Sequence, residues 1–189
     1  MQLEIEQPAF VDGGKSLAGD SLTGQGVEQI TLIGIGAGGG GLPALLAFIQ
    51  NLPTDAGLAY VVVAPSAITR RALARIQQAS ALPVVEVKAE VTLDVDTLYL
   101  VAPGYSTELS GNLLQPFQLA SGQRTSTPLD GFFAALARER AANAVAVLLA
   151  GRGKDGVAGL AAIKEQGGWT FVQSPEGAEQ PALLRRALA

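Results

Sequence analysis

From Gln29 onward the sequence alternates short, β-branched apolar runs with stretches of helical periodicity, and few folds satisfy that rhythm. The runs lie at residues 30–35, 58–63, 84–87, 98–101, 145–149 and 170–172. Each has the length and the Val, Ile and Leu content of a strand buried on both faces. Between them, residues 43–50 carry Leu45, Leu46 and Ile49 at helical spacing. Residues 66–79 place Ile68, Ala72, Leu73 and Ile76 on one helix face, with Arg70, Arg71 and Arg75 on the other. Residues 128–142 open with Thr127, Pro128 and Asp130, which supply an N-cap, a proline at the first helical position and an acid in the first turn. Residues 156–166 follow Asp155 and stop at Gly167 and Gly168. Such βαβ alternation predicts an α/β fold: a doubly wound, mainly parallel, Rossmann-like sheet with helices on both faces. Residues 105–126 break the rhythm, and their polar, alternating pieces predict an antiparallel hairpin near one edge.

Composition bounds the rest. A chain of 189 residues that is 48% hydrophobic and 16% charged can bury one sizeable core. Residues 1–28 are rich in Gly, Ser and Asp and read as a flexible leader, with a short strand at 3–5; residues 29–189 form the domain. With 13 basic against 17 acidic side chains and no basic run, a nucleic-acid groove and an anionic membrane surface are both disfavoured. No apolar run approaches the roughly 18 residues of a membrane span, and the acidic N-terminus is no signal peptide, so no membrane insertion is expected. Without cysteine there is no disulfide framework, which is compatible with a cytoplasmic home. No residue pattern calls for a cofactor or a metal.

In doubly wound folds chemistry sits where strands hand over to helices. The first such handover is glycine-rich, running from Gly34 through Gly36, Gly38, Gly39 and Gly40 to Gly41. By itself this satisfies G-x-G-x-x-G, so a nucleotide- or anion-binding module using residues 34–41 is one reading. Against it, the second strand ends at Val63 and Ala64 with no acid to hold a ribose, and Arg70 and Arg71 lie too far along for a 2′-phosphate. A tight turn that lets helix and sheet pack closely explains the glycines equally well.

Other segments add weight elsewhere. The string from Leu148 to Leu160 contains Gly151-Arg152-Gly153-Lys154-Asp155-Gly156 and is followed by Lys164-Glu165-Gln166-Gly167-Gly168. It resembles the catalytic domain of chemotaxis receptor methylesterases (CheB type), whose loop reads Gly-x-Gly-x-Asp-Gly-x-x-Gly-Leu before a Lys-x-x-Gly-Gly helix end. Val101-Ala102-Pro103-Gly104 resembles the family's V-A-P-G segment, and Pro128-Leu129-Asp130 with Phe133 its S-V-D-x-L-F helix start. Gly36-Ala37-Gly38-Gly39-Gly40-Gly41 aligns with its nucleophile loop, G-A-S-T-G-G. The resemblance runs in order from about Gln29 to the C-terminus.

What it implies is hydrolysis of a glutamate methyl ester on receptor helices by a Ser-His-Asp triad, with a chemoreceptor or another signalling protein as partner. Carried over by position, the serine falls on Gly38, the histidine on Val63 (with Thr69 anchoring that stretch), and the aspartate on Asp155. The chain contains no histidine at all, and histidine is the side chain whose ordinary pKa suits a base at neutral pH. Ser66 or Thr69 would have to move several ångströms to substitute, and Lys154 has no serine in the glycine loop to activate. The expectation is therefore a degenerate, non-catalytic binding or regulatory module in chemosensory signalling, the alternative being an active methylesterase with an atypical site. The family's usual N-terminal receiver domain is far longer than 28 residues, so either the chain is a fragment of a larger signalling protein or both switch and chemistry are gone.

Two residues carry competing roles. Asp155 is either an orienter without its histidine or, as we expect, a cap for the helix that starts at Gly156. Arg152 stands where the family commonly has methionine, and with Gly38, Gly39 and Gly40 it makes an expected anion or carboxylate site.

Overall fold

The computed structural model describes residues 3–6, 29–64, 70–102, 104–118 and 127–189. Ser66 and Thr69, Pro103, nearly all of the expected leader and the end of the expected hairpin lie outside the described residues.

The apolar runs become the centre of one seven-stranded sheet. Strand β1 (Leu3–Glu6) realises the short N-terminal strand, and β2 (Thr31–Ala37), β3 (Leu58–Val63) and β4 (Val84–Val87) follow. After a two-residue β5 (Val91–Thr92) come β6 (Thr97–Val101), β7 (Tyr105–Ser110), β8 (Leu113–Gln118), β9 (Val145–Leu149) and β10 (Trp169–Gln173). The order across the sheet is β1-β10-β9-β2-β3-β6-β4; all pairs are parallel except β1 with β10. Helices α1 (Leu42–Ile49) and α2 (Arg70–Ala79) cover one face. Helices α3 (Pro128–Arg140), α4 (Val157–Glu165) and a short α5 (Ala182–Ala187), which periodicity did not mark, cover the other. The doubly wound sheet expected from βαβ alternation is what forms.

The two faces have separate cores. Leu45, Ile49 and Ile76 of α1 and α2 pack on Ile35, Tyr60, Val62 and Leu98. Phe132, Phe133 and Leu136 of α3 and Ile163 of α4 pack on Leu32, Val61, Val63 and Leu148.

Two boundaries depart from expectation. The residues 105–118 do form an antiparallel hairpin, but it pairs with β5 in its own three-stranded sheet rather than with the main sheet. It is pinned to the end of α3, where Arg140 Nη2 donates to Gly111 O at 2.8 Å and Gly111 N donates to Glu139 Oε2 at 3.0 Å. Strand β2 also runs on to Ala37, so Gly34 and Gly36 belong to a strand and not to a loop. Their missing side chains are filled by α3: a Cβ at Gly34 would meet Leu136 Cδ2 at 2.9 Å, and one at Gly36 would meet Leu129 Cδ2 at 2.7 Å. Glycine is there for helix approach, not for a turn.

Candidate functional site

Because β2 is followed in space by β3 on one side and by β9 on the other, the winding reverses between β2 and β9. The carboxyl ends of those two strands are where such folds bind ligands. Two loops meet there: residues 38–41 after β2 and residues 150–156 after β9.

They meet by backbone. Gly39 N donates to Arg152 O at 3.1 Å and Arg152 N donates to Gly39 O at 2.8 Å, an antiparallel bridge between the loops. Gly41 N closes a turn on Gly38 O at 2.9 Å, with Gly40 at φ 84°. The chains approach so closely that a Cβ on Gly38 would lie 2.9 Å from the Arg152 carbonyl oxygen and from Gly151 Cα. A Cβ on Gly41 would run into the Ala150 carbonyl oxygen, and one on Gly151 into the Gly38 backbone. Real Cβ atoms do not sit that near backbone, so glycine at these positions is set by close approach. Gly38 has no positive φ. The second loop is held from its other side by Gln173 Oε1, which accepts Ala150 N at 2.8 Å, and by Gln180 O, which accepts Gly151 N. A cavity of about 140 Å3 opens beside this seam, lined in part by Gly40, Gly41, Gln173 and Gln180.

The residues expected to form a site are only partly assembled. Gly38, Gly39, Gly40 and Arg152 do come together, and the exposed Arg152 side chain lies over Gly40, its Nη2 3.9 Å from where a Cβ would stand. Two of the loop N–H groups, those of Gly39 and Gly41, are already donated within the seam. No ion pair joins Arg152 to an acid among the described residues. Val63 is the last residue of β3, beside Gly36 in register, and its side chain is buried in the core under α3. Lys154 is exposed. Among the described residues no group of His, Cys, Asp and Glu has the arrangement of a metal centre.

Asp155 corrects a local expectation. It does not cap the helix that follows it: α4 starts from Gly156, in the left-handed region at φ 100°, with no side-chain cap of its own. Its carboxylate instead crosses to α3, where Oδ2 accepts Leu129 N at 3.1 Å and Oδ1 accepts Asp130 N at 3.0 Å. Asp130, within that first turn, returns the exchange. Its Oδ1 accepts Gly156 N at 2.8 Å and Gly159 N at 2.9 Å, so it caps α4. Pro128 at the first helical position has no N–H to satisfy, which leaves two free donors at the start of α3, and Asp155 takes both. Thr127, expected as the cap, makes no side-chain cap bond. Burial raises the Asp155 pKa above its ordinary value, with the neighbouring Asp130 charge adding to it, while the hydrogen bonds from Asp130, Leu129 and Gly156 oppose the shift. Asp130 is the site residue that sequence reasoning saw as a first-turn acid and as part of a family-like helix start, without a role at the site. The one available hint was a helix with proline at its start and another with glycine at its cap, each lacking a local partner.

The fold and this loop junction define a doubly wound α/β domain with its candidate site at the switch point between β2 and β9. The profile described as CheB methylesterase matches residues 33–189, and the chain belongs to that family. Among relatives, the protein-glutamate methylesterase/protein-glutamine glutaminase 1 of Carboxydothermus hydrogenoformans is 30% identical over 185 residues, covering 92% of this chain and 53% of that protein. The corresponding protein of Moorella thermoacetica is 31% identical over 175 residues, covering 88% of this chain and 41% of its own length. An uncharacterized 104.1 kDa protein of Rhodobacter capsulatus is 37% identical over 110 residues, 57% of this chain and 11% of that protein. This chain thus spans about half the length, or less, of the curated relatives it matches. The solved catalytic domain of the Thermotoga maritima CheB methylesterase shares the fold, with a TM-score of 0.72 at 24% identity over 84% of this chain and 87% of that one.

Proposed function

We propose that this is a CheB-type domain that no longer hydrolyses esters and acts by binding, as a regulatory module of chemosensory signalling. One observation carries the reading. The position aligned with the nucleophile, Gly38, has the Gly151–Arg152 backbone where a serine side chain would begin. Val63, aligned with the base, is a core residue, and both oxygens of Asp155 are committed to α3. Without an activated hydroxyl and its base, serine-hydrolase chemistry falls to the residual that an oxyanion hole and binding provide. The partner class is a signalling protein that presents glutamate side chains, in keeping with relatives named as protein-glutamate methylesterases. No helix among the described residues is long and apolar enough to cross a membrane.

The test is direct. Incubated with a glutamate methyl ester peptide, the protein is expected to release methanol no faster than a blank. A fluorophosphonate probe is expected to label no serine; labelling at any serine, followed by ester turnover, would overturn the reading.

A second reading has a specific observation in its favour: Arg152 lies over Gly40 without an acidic partner among the described residues. A carboxylate there would meet a guanidinium beside the start of α1. Glutamate or acetate is then expected to bind weakly, more weakly as salt rises, and Arg152→Met to abolish the binding with the fold intact. Chemical-shift titration checks this; binding unchanged in Arg152→Met would make Arg152 an ordinary surface residue.

A further inference from the structure

Four cations gather on the outer side of the second glycine loop. Arg152 and Lys154 stand in the loop after β9, Arg185 and Arg186 in the last turn of α5, and all are exposed. The two elements are joined. Arg186 Nη1 donates to the Gly153 carbonyl at 3.2 Å, and Gly151 N donates to Gln180 O just ahead of α5. None of these cations is in an ion pair among the described residues, whereas Lys88 and Arg138 elsewhere have carboxylate partners.

In a chain of net charge −4 this is an uneven distribution. Asp55 and Asp96, which precede β3 and β6, lie at the far end of the sheet. Like charges held together repel one another. A helix C-terminus attracts cations, which accounts for Arg185 and Arg186 but not for Arg152 and Lys154 beside them. An anionic partner relieves the repulsion and is steered toward it. Its spacing matters too. Glu176 and Glu179 are exposed in the loop between β10 and α5, so a continuous row of phosphates would meet acids as well as cations. A polypeptide can set its carboxylates apart, and guanidinium groups take carboxylates in a bidentate fork.

We propose that Arg152, Lys154, Arg185 and Arg186 form a docking face for an acidic segment of a partner protein, one carrying several Glu or Asp side chains close in sequence. The proposal rests on the reading that the domain acts by binding, and it places the partner's grip beside the glycine seam, not within it. The full chain is titrated with a short fluorescein-labelled peptide of alternating glutamate and serine, and with the same peptide carrying glutamine for glutamate. Anisotropy is expected to show the glutamate peptide binding at least about tenfold more tightly, and more weakly as salt rises. Arg185→Gln is expected to weaken it about twofold and Lys154→Gln/Arg185→Gln/Arg186→Gln about tenfold, the worth of one and of three exposed charge pairs. Arg75→Gln removes the same charge from an exposed position on α2 and is expected to leave binding unchanged. Equal affinity for the two peptides, equal losses in Arg75→Gln and Arg185→Gln, or full binding by the triple variant would each overturn the proposal. Tighter binding to phosphatidylserine vesicles or single-stranded DNA than to the glutamate peptide would do the same, by assigning the face to another class of partner. Methanol release from the ester peptide moves independently of these readings and tests the non-catalytic proposal alone.

Discussion

Gly151→Ala is expected to lose about 3 kcal/mol of stability, among the larger costs a single added methyl can impose. The added carbon would enter the Gly38 backbone, and neither partner is the yielding end of a long side chain. Relief requires the two loops to part, which breaks the paired bonds between Gly39 and Arg152. Gly38→Ser is expected to lose less, on the order of 1–2 kcal/mol, because its Cβ meets the same backbone at 2.9 Å. The loss there comes from crowding, not from a strained φ, since Gly38 is not in the left-handed region. Urea denaturation gives both values, and hydrogen exchange at the Gly39 and Arg152 amides reports whether the bridge opened. Wild-type stability in Gly151→Ala would mean the seam is loose enough to admit a side chain, and the structural support for a non-catalytic site would go with it.

Removing either aspartate of the exchanged caps is expected to cost about 2 kcal/mol, toward the upper end for a helix cap, because each carboxylate serves two N–H groups in a partly buried place. Asp155→Asn is informative. Asparagine caps an ordinary helix almost as well as aspartate. Here Asp155 uses one oxygen for Leu129 N and the other for Asp130 N, and an amide would turn its NH2 toward one of those donors. A loss well above a few tenths of a kcal/mol is therefore expected for Asn, with Asp130→Asn milder, since a single oxygen of Asp130 takes both bonds. The double variant Asp130→Ala/Asp155→Ala should fall short of additivity, each aspartate being placed by the other's helix.

The acid range adds a signature. Because the folded state raises the Asp155 pKa, between the unfolded and folded values the native protein binds more protons than the unfolded chain. The contribution of Asp155 is then fully present below the unfolded value and declines as pH rises through the folded one. The stability difference between parent and Asp155→Asn should shrink over that window and level off toward neutrality. A difference that grows with rising pH would reverse the assignment.

How much was legible depended on whether the cause of a feature was local. Strands 58–63 and 145–149 were readable to the residue, since burial on both faces writes a nearly continuous apolar run; strand 84–87, half-buried at the sheet edge, was readable from its valines. Gly36 was misread as loop, and Gly34 was counted both in a strand run and in the glycine loop, because a glycine needed for helix contact looks the same in sequence as one needed for a turn. Asp155 was rightly marked as a cap, but on the wrong helix; its partners stand 25 and 26 residues away, beyond any periodic signal. The meeting of Gly38 with Arg152 was visible only through family resemblance, and the backbone contact that fills the site was not visible at all.

The bridge between Gly39 and Arg152 also bears on how the chain reaches this state. It joins the first handover of the sheet to one near its end, so closing it encloses most of the domain in a single loop. Contacts of such sequence separation carry a large chain-closure entropy and tend to form after the local hairpins and βα units. Interactions made late contribute little to the folding barrier and much to the rate of escape from the native state. The glycine seam then works as a kinetic clasp, one that leaves the speed of folding nearly untouched and sets how long a folded molecule persists.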